Sequence, residues 1–228
     1  MREEKDKTKE EERVGGDTAP VAEELREEGI SVPAPENAEK KKGARRRARD
    51  IALIALFVAI TVIFGFIKIP MQPVAMSLLT LATALAGCFL SPLHAAFSQA
   101  IYVFMGLIGI PVFTTGGGPA YVLQPSFGFL LFLPFMAAGI SLAVRHDKFL
   151  PAKARFIWRH GVSLLISFLQ LLFGTFYYYL LYRYYMNTDL TLEAAVMSCF
   201  VLFIPTAIIK SVLSVALFDM LKKRLKLV

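Results

Sequence analysis

Six predominantly apolar stretches of 15 to 28 residues follow one another between residues 51 and 221, and each has to be kept out of water. They cover residues 51–67, 76–90, 95–110, 127–144, 162–185 and 194–221, the last interrupted by Pro205. Crossing the hydrocarbon core of a bilayer takes about 17–25 helical residues, so the second and third stretches sit at or below the short end. Inside that core no water satisfies the backbone, which leaves the helix as the structure such segments adopt. A soluble domain does not need 56% hydrophobic residues and 19 Phe among 228, because its outside faces water. The fold class expected is all-α integral membrane: a six-transmembrane-helix bundle over residues 50–228 behind a charged, disordered cytoplasmic tail over residues 1–49.

Charge is placed unevenly. Residues 1–39 carry thirteen acids and six bases, whereas residues 40–228 carry five acids and nineteen bases. The tail has few large apolar residues and contains Pro20, Pro33 and Pro35, so it buries too little surface to offset chain entropy. One short helix around residues 21–28 is expected within it, and no cleavable signal. Seven bases between Lys40 and Arg49 stand directly before the first apolar stretch, where they read as a membrane-side anchor and not as a nucleic-acid patch. Arg145, Lys148, Lys153, Arg155 and Arg159 share one connection, and Lys222, Lys223, Arg224 and Lys226 follow the last stretch. Basic residues mark the cytoplasmic side. Both termini are thus expected in the cytoplasm of a multi-pass protein of the cell membrane. The opposite loops, 68–75, 111–126 and 186–193, hold a single base, Lys68.

The residues offer little chemistry of the catalytic kind. No GxxxxGK[ST] sequence is present, so ATP hydrolysis is not expected of this chain. His94, His146 and His160 lack metal-ligand spacing, and no nucleophile–base pair stands out; neither an enzyme, a metal nor a cofactor is expected. Cys88 and Cys199 read as buried packing residues. Gly116-Gly117-Gly118 reads as a flexible turn. Tyr177, Tyr178, Tyr179, Tyr182, Tyr184 and Tyr185 form either an aromatic belt at the outer interface or, in part, a surface for stacking on a ligand. Trp158 reads as an inner interface anchor.

Lys210 is the exception, because an ionisable residue inside a membrane span costs several kcal/mol unless paired or hydrated and points to function. Proline is tolerated in the first turn of a helix, so Pro205 is expected to open the last helix, with residues 194–204 dipping in from outside. Lys210 would then lie about 8 Å below the helix start. A lysine and the positive end of a helix dipole would converge there on an anion. Ala55 and Ala59 form a small-xxx-small pair that permits close helix packing.

With these residues laid out, residues 51–222 resemble the BioY family, the biotin-binding S components of energy-coupling factor (ECF) transporters. The resemblance rests on Ile101-Tyr102-Val103-Phe104-Met105-Gly106-Leu107-Ile108-Gly109-Ile110-Pro111-Val112-Phe113 with the glycines at 116–118. It rests also on Ile69-Pro70-Met71-Gln72-Pro73-Val74-Ala75-Met76-Ser77-Leu78 and on Ile204-Pro205-Thr206-Ala207-Ile208-Ile209-Lys210. It implies a six-helix bundle that encloses a vitamin, and a partner module of two ATPases and a coupling transmembrane protein. Docking on that module would use the alanine face of Ala55 and Ala59. The residues expected at the ligand are Lys210, Ala207, Leu79, Phe113, Tyr121, Gln124 and Tyr178. Leu79 stands where the family usually has glutamine, Ala207 where it has an acid, and Gln124-Pro125-Ser126-Phe127-Gly128 where it has Gly-Pro-Thr-Gly-Gly. The solute expected is therefore biotin or a biotin-like carboxylate. The competing expectation is a membrane adaptor that recruits a cytoplasmic partner through its charged tail.

Overall fold

The computed structural model describes residues 36–69, 74–147 and 151–225. The chain divides into two units, Met1–Ala48 and Arg49–Val228. Residues 1–35, where disorder and a short helix at 21–28 are expected, lie outside the described residues. So do 70–73 of the first outer loop, 148–150 and 226–228. Helix α1, Glu36–Phe66, already starts inside the segment whose charge content suggested disorder. Between residues 36 and 49 the chain is Glu, Ala, Lys and Arg apart from Asn37 and Gly43, and those four residue types have high helix propensity whatever their charge.

Helices dominate the second unit. After α1 come α2 (Leu79–Phe89), α3 (Pro92–Leu107), α4 (Phe127–Leu131), α5 (Leu133–His146), α6 (Ala152–Leu180), α7 (Leu192–Ala195) and α8 (Ile204–Leu225). Two short strands, β1 (Lys68–Ile69) and β2 (Met76–Ser77), pair antiparallel between α1 and α2, with Lys68 opposite Ser77. Among the described residues, four helical stretches are long and apolar enough to cross a membrane: Gly43–Phe66, Phe127–His146, Ala154–Tyr185 and Leu192–Arg224. The shorter α2 is also apolar. At 11 residues it rises about 16 Å. The break after it falls at Ser91-Pro92, as the sequence suggests. Ser91 caps α3 by accepting from the His94 backbone N–H (3.4 Å), and Pro92 occupies the first turn, where no N–H is needed.

The last apolar stretch is not one regular helix. Helix α7 gives way to a π turn at Val196–Phe200 and a 3-10 turn at Val201–Phe203 before α8 begins. Pro205 lies in the first turn of α8. It has no N–H to continue a helix from the residues before it, so the regular ladder restarts at that point. Thr206 donates to the Phe203 carbonyl (2.9 Å), which supplies one of the bonds the interrupted backbone lacks.

Helix α5 is packed against α2, α3 and α6, and α8 against α2 and α6. Small residues set the closest of these approaches. Ala82, Ala86 and Ala137 have no solvent exposure, and a Cβ on Gly87 would stand 2.7 Å from the Ala137 carbonyl oxygen. Polar side chains inside the bundle answer one another. Gln99 is completely buried; its amide donates to Thr61 on α1 (3.2 Å) and accepts from Thr83 on α2 (3.0 Å). Such a closed set links three helices without leaving a polar atom facing hydrocarbon.

A second polar set joins the other ends of α5, α6 and α8. Arg159 donates from Nε to Asp147 and from Nη1 to Asp219, and its guanidinium carbon lies 5.2 Å from the centre of the Phe218 ring. The sequence placed Arg159 among loop bases, but α6 starts at Ala152 and carries it inward to 7% exposure. Trp158 beside it donates to the Ala143 carbonyl (3.2 Å). Removing a buried cation from its partners strands their charge at a cost of about 3–5 kcal/mol. Arg159→Met is therefore expected to lower the thermal midpoint in detergent well below that of Asp219→Asn, whose carboxylate is 35% exposed. Equal midpoints for the two variants would contradict this account.

Candidate functional site

A cavity of about 790 Å³, its open mouth included, lies between the β1–β2 hairpin, the 111–126 loop and helices α2, α4, α5, α6 and α8. One side is apolar, with Leu79, Leu130, Met136, Leu171 and Phe203 among the lining side chains. Ser77, Thr80, Thr114, Ser126, Ser167, Gln170, Thr206 and Ser211 supply polar groups. Lys210 is the one ionisable side chain among the described lining residues.

Local sequence explains how these groups arrive. Helix α8 begins at Ile204, so Thr206, Ala207, Lys210 and Ser211 fall in its first two turns and on the face turned to the cavity. The helical backbone runs into α8 from the turn before it, with the Ile204 N–H bonded to the Val201 carbonyl, so the charge presented to the cavity there is that of Lys210. The ammonium donates to the Ser77 carbonyl at 2.8 Å, which ties α8 to strand β2 across 133 residues of chain. Lys68, paired with Ser77 in the hairpin, reaches the other way and donates to the Thr114 carbonyl. Two lysines thus connect the hairpin to α8 on one side and to the second outer loop on the other.

That second loop is built around an aromatic stack. Phe113 is buried between Tyr102, whose ring centre is 5.7 Å away, and Tyr121 at 4.4 Å. The glycine run is a fixed turn: Phe113 and Gly116 exchange backbone bonds of 3.0 and 3.2 Å, and Gly118 donates to the Gly106 carbonyl at 2.7 Å. Gly116 and Gly118 hold φ of 123° and 114°, a region that side chains with a Cβ avoid. Gly106 answers a different need, since a Cβ there would come within 2.0 Å of the Phe113 ring. The Tyr121 hydroxyl is bonded to Thr114 (3.1 Å), Thr115 (3.2 Å) and Ser126 (3.1 Å). It thereby fixes two of the cavity's polar residues.

Of the residues expected at the ligand, Lys210, Ala207 and Leu79 line this cavity together. Phe113 and Tyr121 stand behind it as supports. Tyr178 is buried against Val74, Ala195, Cys199 and Phe203, and Gln124 is exposed. Ala55 and Ala59 lie on an exposed face of α1. Sequence reasoning passed over Ser167 and Gln170 on α6. Their signal was Ser163, Ser167 and Gln170 at spacings of four and three inside an apolar run, which places three polar side chains on one helix face.

Residues 37–227 match the family model described as the BioY family. A probable biotin transporter BioY from Lysinibacillus sphaericus is 39% identical over 120 residues, 52% of this chain and 60% of that protein. Another from Pyrococcus horikoshii is 37% identical over 89 residues, covering 39% and 55%. The probable biotin transporter BioY of Bacillus subtilis is 31% identical over 173 residues, covering 72% and 86%. Matches to the first two of these therefore span less than two thirds of their length. Among solved structures, the S-component for biotin from an ECF-type ABC transporter matches with a TM-score of 0.67 at 26% identity. It covers 78% of this chain and 93% of its own.

Adding a methyl group at Gly106 should force the Phe113 ring aside and destabilise the protein by about 1–3 kcal/mol. Thermal unfolding of Gly106→Ala, Phe113→Leu and the double variant tests the contact. The double variant is expected to lose less than the sum of the two singles. Simple additivity would mean that the two positions do not press on each other.

Proposed function

The chain belongs to the BioY family, and from that we propose that it is the substrate-binding membrane subunit, or S component, of an ECF-type ABC transporter. It captures biotin or a biotin-like carboxylate from outside the cell and performs no chemistry on it. The observation that carries this reading is Lys210, the single ionisable side chain among the described lining residues, which are otherwise apolar or neutral-polar. A carboxylate entering a membrane protein loses its hydration and needs a fixed positive partner in return. Lys210 provides it, while Leu79, Leu130, Met136 and Phe203 cover the hydrocarbon part of the solute. The β1–β2 hairpin and the 111–126 loop close the outer side.

The same reading gives the remaining features their places. Helix α1, the helix pair α2 and α3, the α4–α5 rod, α6 and the α7–α8 segment make six crossings, with both termini on the cytoplasmic side of the cell membrane. The bases at 40–49, around the α5–α6 connection and in the last turn of α8 agree with that orientation. Energy comes from a partner module of two ATPases and a coupling membrane protein, as membership of the BioY family implies. The exposed Ala55 and Ala59 on α1 let a helix of that module approach closely.

Calorimetric titration of the detergent-purified protein with biotin, dethiobiotin and lipoate tests the ligand. Tight biotin binding is expected, and its absence in a folded, monodisperse sample would remove biotin as the solute. Lys210→Ala should weaken the bound carboxylate by about 10- to 100-fold, the worth of a charge-assisted hydrogen bond. Its thermal midpoint should remain near that of the parent; unchanged affinity would remove the lysine from the site. Ala55→Leu with Ala59→Leu should lose the co-purifying ATPases while retaining solute affinity, and retention of the ATPases would place docking elsewhere.

A further inference from the structure

The hydroxyl hydrogens on the α6–α8 wall of the cavity are already spent inside the protein. Ser167 donates to the Ser163 carbonyl (2.8 Å), Thr206 to the Phe203 carbonyl (2.9 Å) and Ser211 to the Ser163 hydroxyl (3.0 Å). Towards the cavity these three side chains offer only lone pairs. Gln170 belongs to the same wall and is 3% exposed. One of its amide N–H groups donates to the Phe129 carbonyl (3.1 Å), which fixes which end of the amide is nitrogen. Its carbonyl oxygen takes no hydrogen bond from the described residues. The oxygen is not sealed off: it opens on the cavity and is free to accept a hydrogen bond. The wall therefore favours an occupant that brings N–H donors of its own, and Lys210 is the cation among the described lining residues that can take an acceptor or an anion.

We propose that Gln170 is a specificity-determining residue that accepts a hydrogen bond from a ring N–H of the solute. This rests on the reading of the cavity as the solute site. It also supplies what the lining otherwise lacks. No carboxylate is present among the described lining residues, and position 207, one turn before Lys210, is an alanine. An acceptor for ring N–H groups has to come from another helix, and Gln170 on α6 is the buried side chain with a free oxygen. Ser167, one turn earlier on the same face, adds a second set of lone pairs.

The test is a double-mutant cycle between protein and ligand, in which biotin and its two singly N-methylated forms are titrated into the unaltered chain and into Gln170→Leu. In the unaltered chain, methylation of the nitrogen that faces Gln170 is expected to weaken binding about 10- to 100-fold, the worth of one buried hydrogen bond. In Gln170→Leu biotin itself should weaken by a similar factor, and that methylation penalty should vanish. Biotin affinity unchanged in Gln170→Leu, or penalties for both methylated forms that persist in full, would overturn the assignment while leaving the proposed function standing. Absence of biotin binding to the unaltered chain would overturn both. Should Gln170→Leu fail to yield monodisperse protein, Gln170→Glu replaces it. That variant keeps an acceptor oxygen, so it should keep the methylation penalty, and loss of the penalty there would equally overturn the assignment.

Discussion

A lysine ammonium held among apolar side chains has to find oxygen, and Lys210 finds it at the Ser77 carbonyl, 2.8 Å away. Much of the outer half of the site follows from that bond. It fixes the start of α8 against the β1–β2 hairpin, and the hairpin in turn holds Lys68 where it reaches the Thr114 carbonyl. Helix α8, the β1–β2 hairpin and the 111–126 loop are therefore connected through two lysines and two carbonyl groups. A carbonyl is a weaker partner for a cation than a carboxylate is. An anion entering the cavity would offer Lys210 a stronger bond than the one it now makes, so the resting contact positions the lysine without neutralising it.

The same economy of polar groups governs the rest of the bundle. Gln99 sits between Thr61 and Thr83, and Arg159 between Asp147 and Asp219, each set closed upon itself. In surroundings where water is absent, an unmatched polar group costs more than a matched one contributes, so such groups occur as complete sets. The cavity breaks this pattern. Lys210 has only a neutral partner and the Gln170 oxygen has none among the described residues, and both face the space that a solute would fill. Two such groups facing one space set the cavity apart from Thr175, a single buried hydroxyl that also lacks a partner among the described residues.

Serine is the device that brings the two helices of the polar wall together. Ser163 and Ser167 on α6 and Ser211 and Ser214 on α8 are all buried, and Ser211 bonds directly to Ser163. Small side chains allow the helix backbones to approach, and their hydroxyls absorb the polar cost by bonding to carbonyls of their own helices. Elsewhere glycine does comparable work, as at Gly87 against the Ala137 carbonyl and at Gly106 beneath Phe113.

The membrane-spanning character, the restart of the last helix near Pro205 and the singling out of Lys210, which lines the cavity, came from the sequence itself. Each follows from a local rule: apolar length, the missing proline N–H, and the cost of a charge in hydrocarbon. The helical start at Glu36 was also available locally, through propensity, but a reading by charge alone passes over it. What only the tertiary structure decided is which side chains share a cavity. Gln170, Ser167 and Thr80 meet Lys210 because α2, α6 and α8 pack around one space, and helices far apart in sequence carry no mark of which faces will meet. Arg159 shows the same limit from the other side. As a base between two apolar stretches it looked like a topology signal, and only the packing of α5, α6 and α8 turned it into the centre of a buried ion-pair set. Local physics fixes what each segment must be; the acceptors and donors it will face are fixed by the packing of segments against each other.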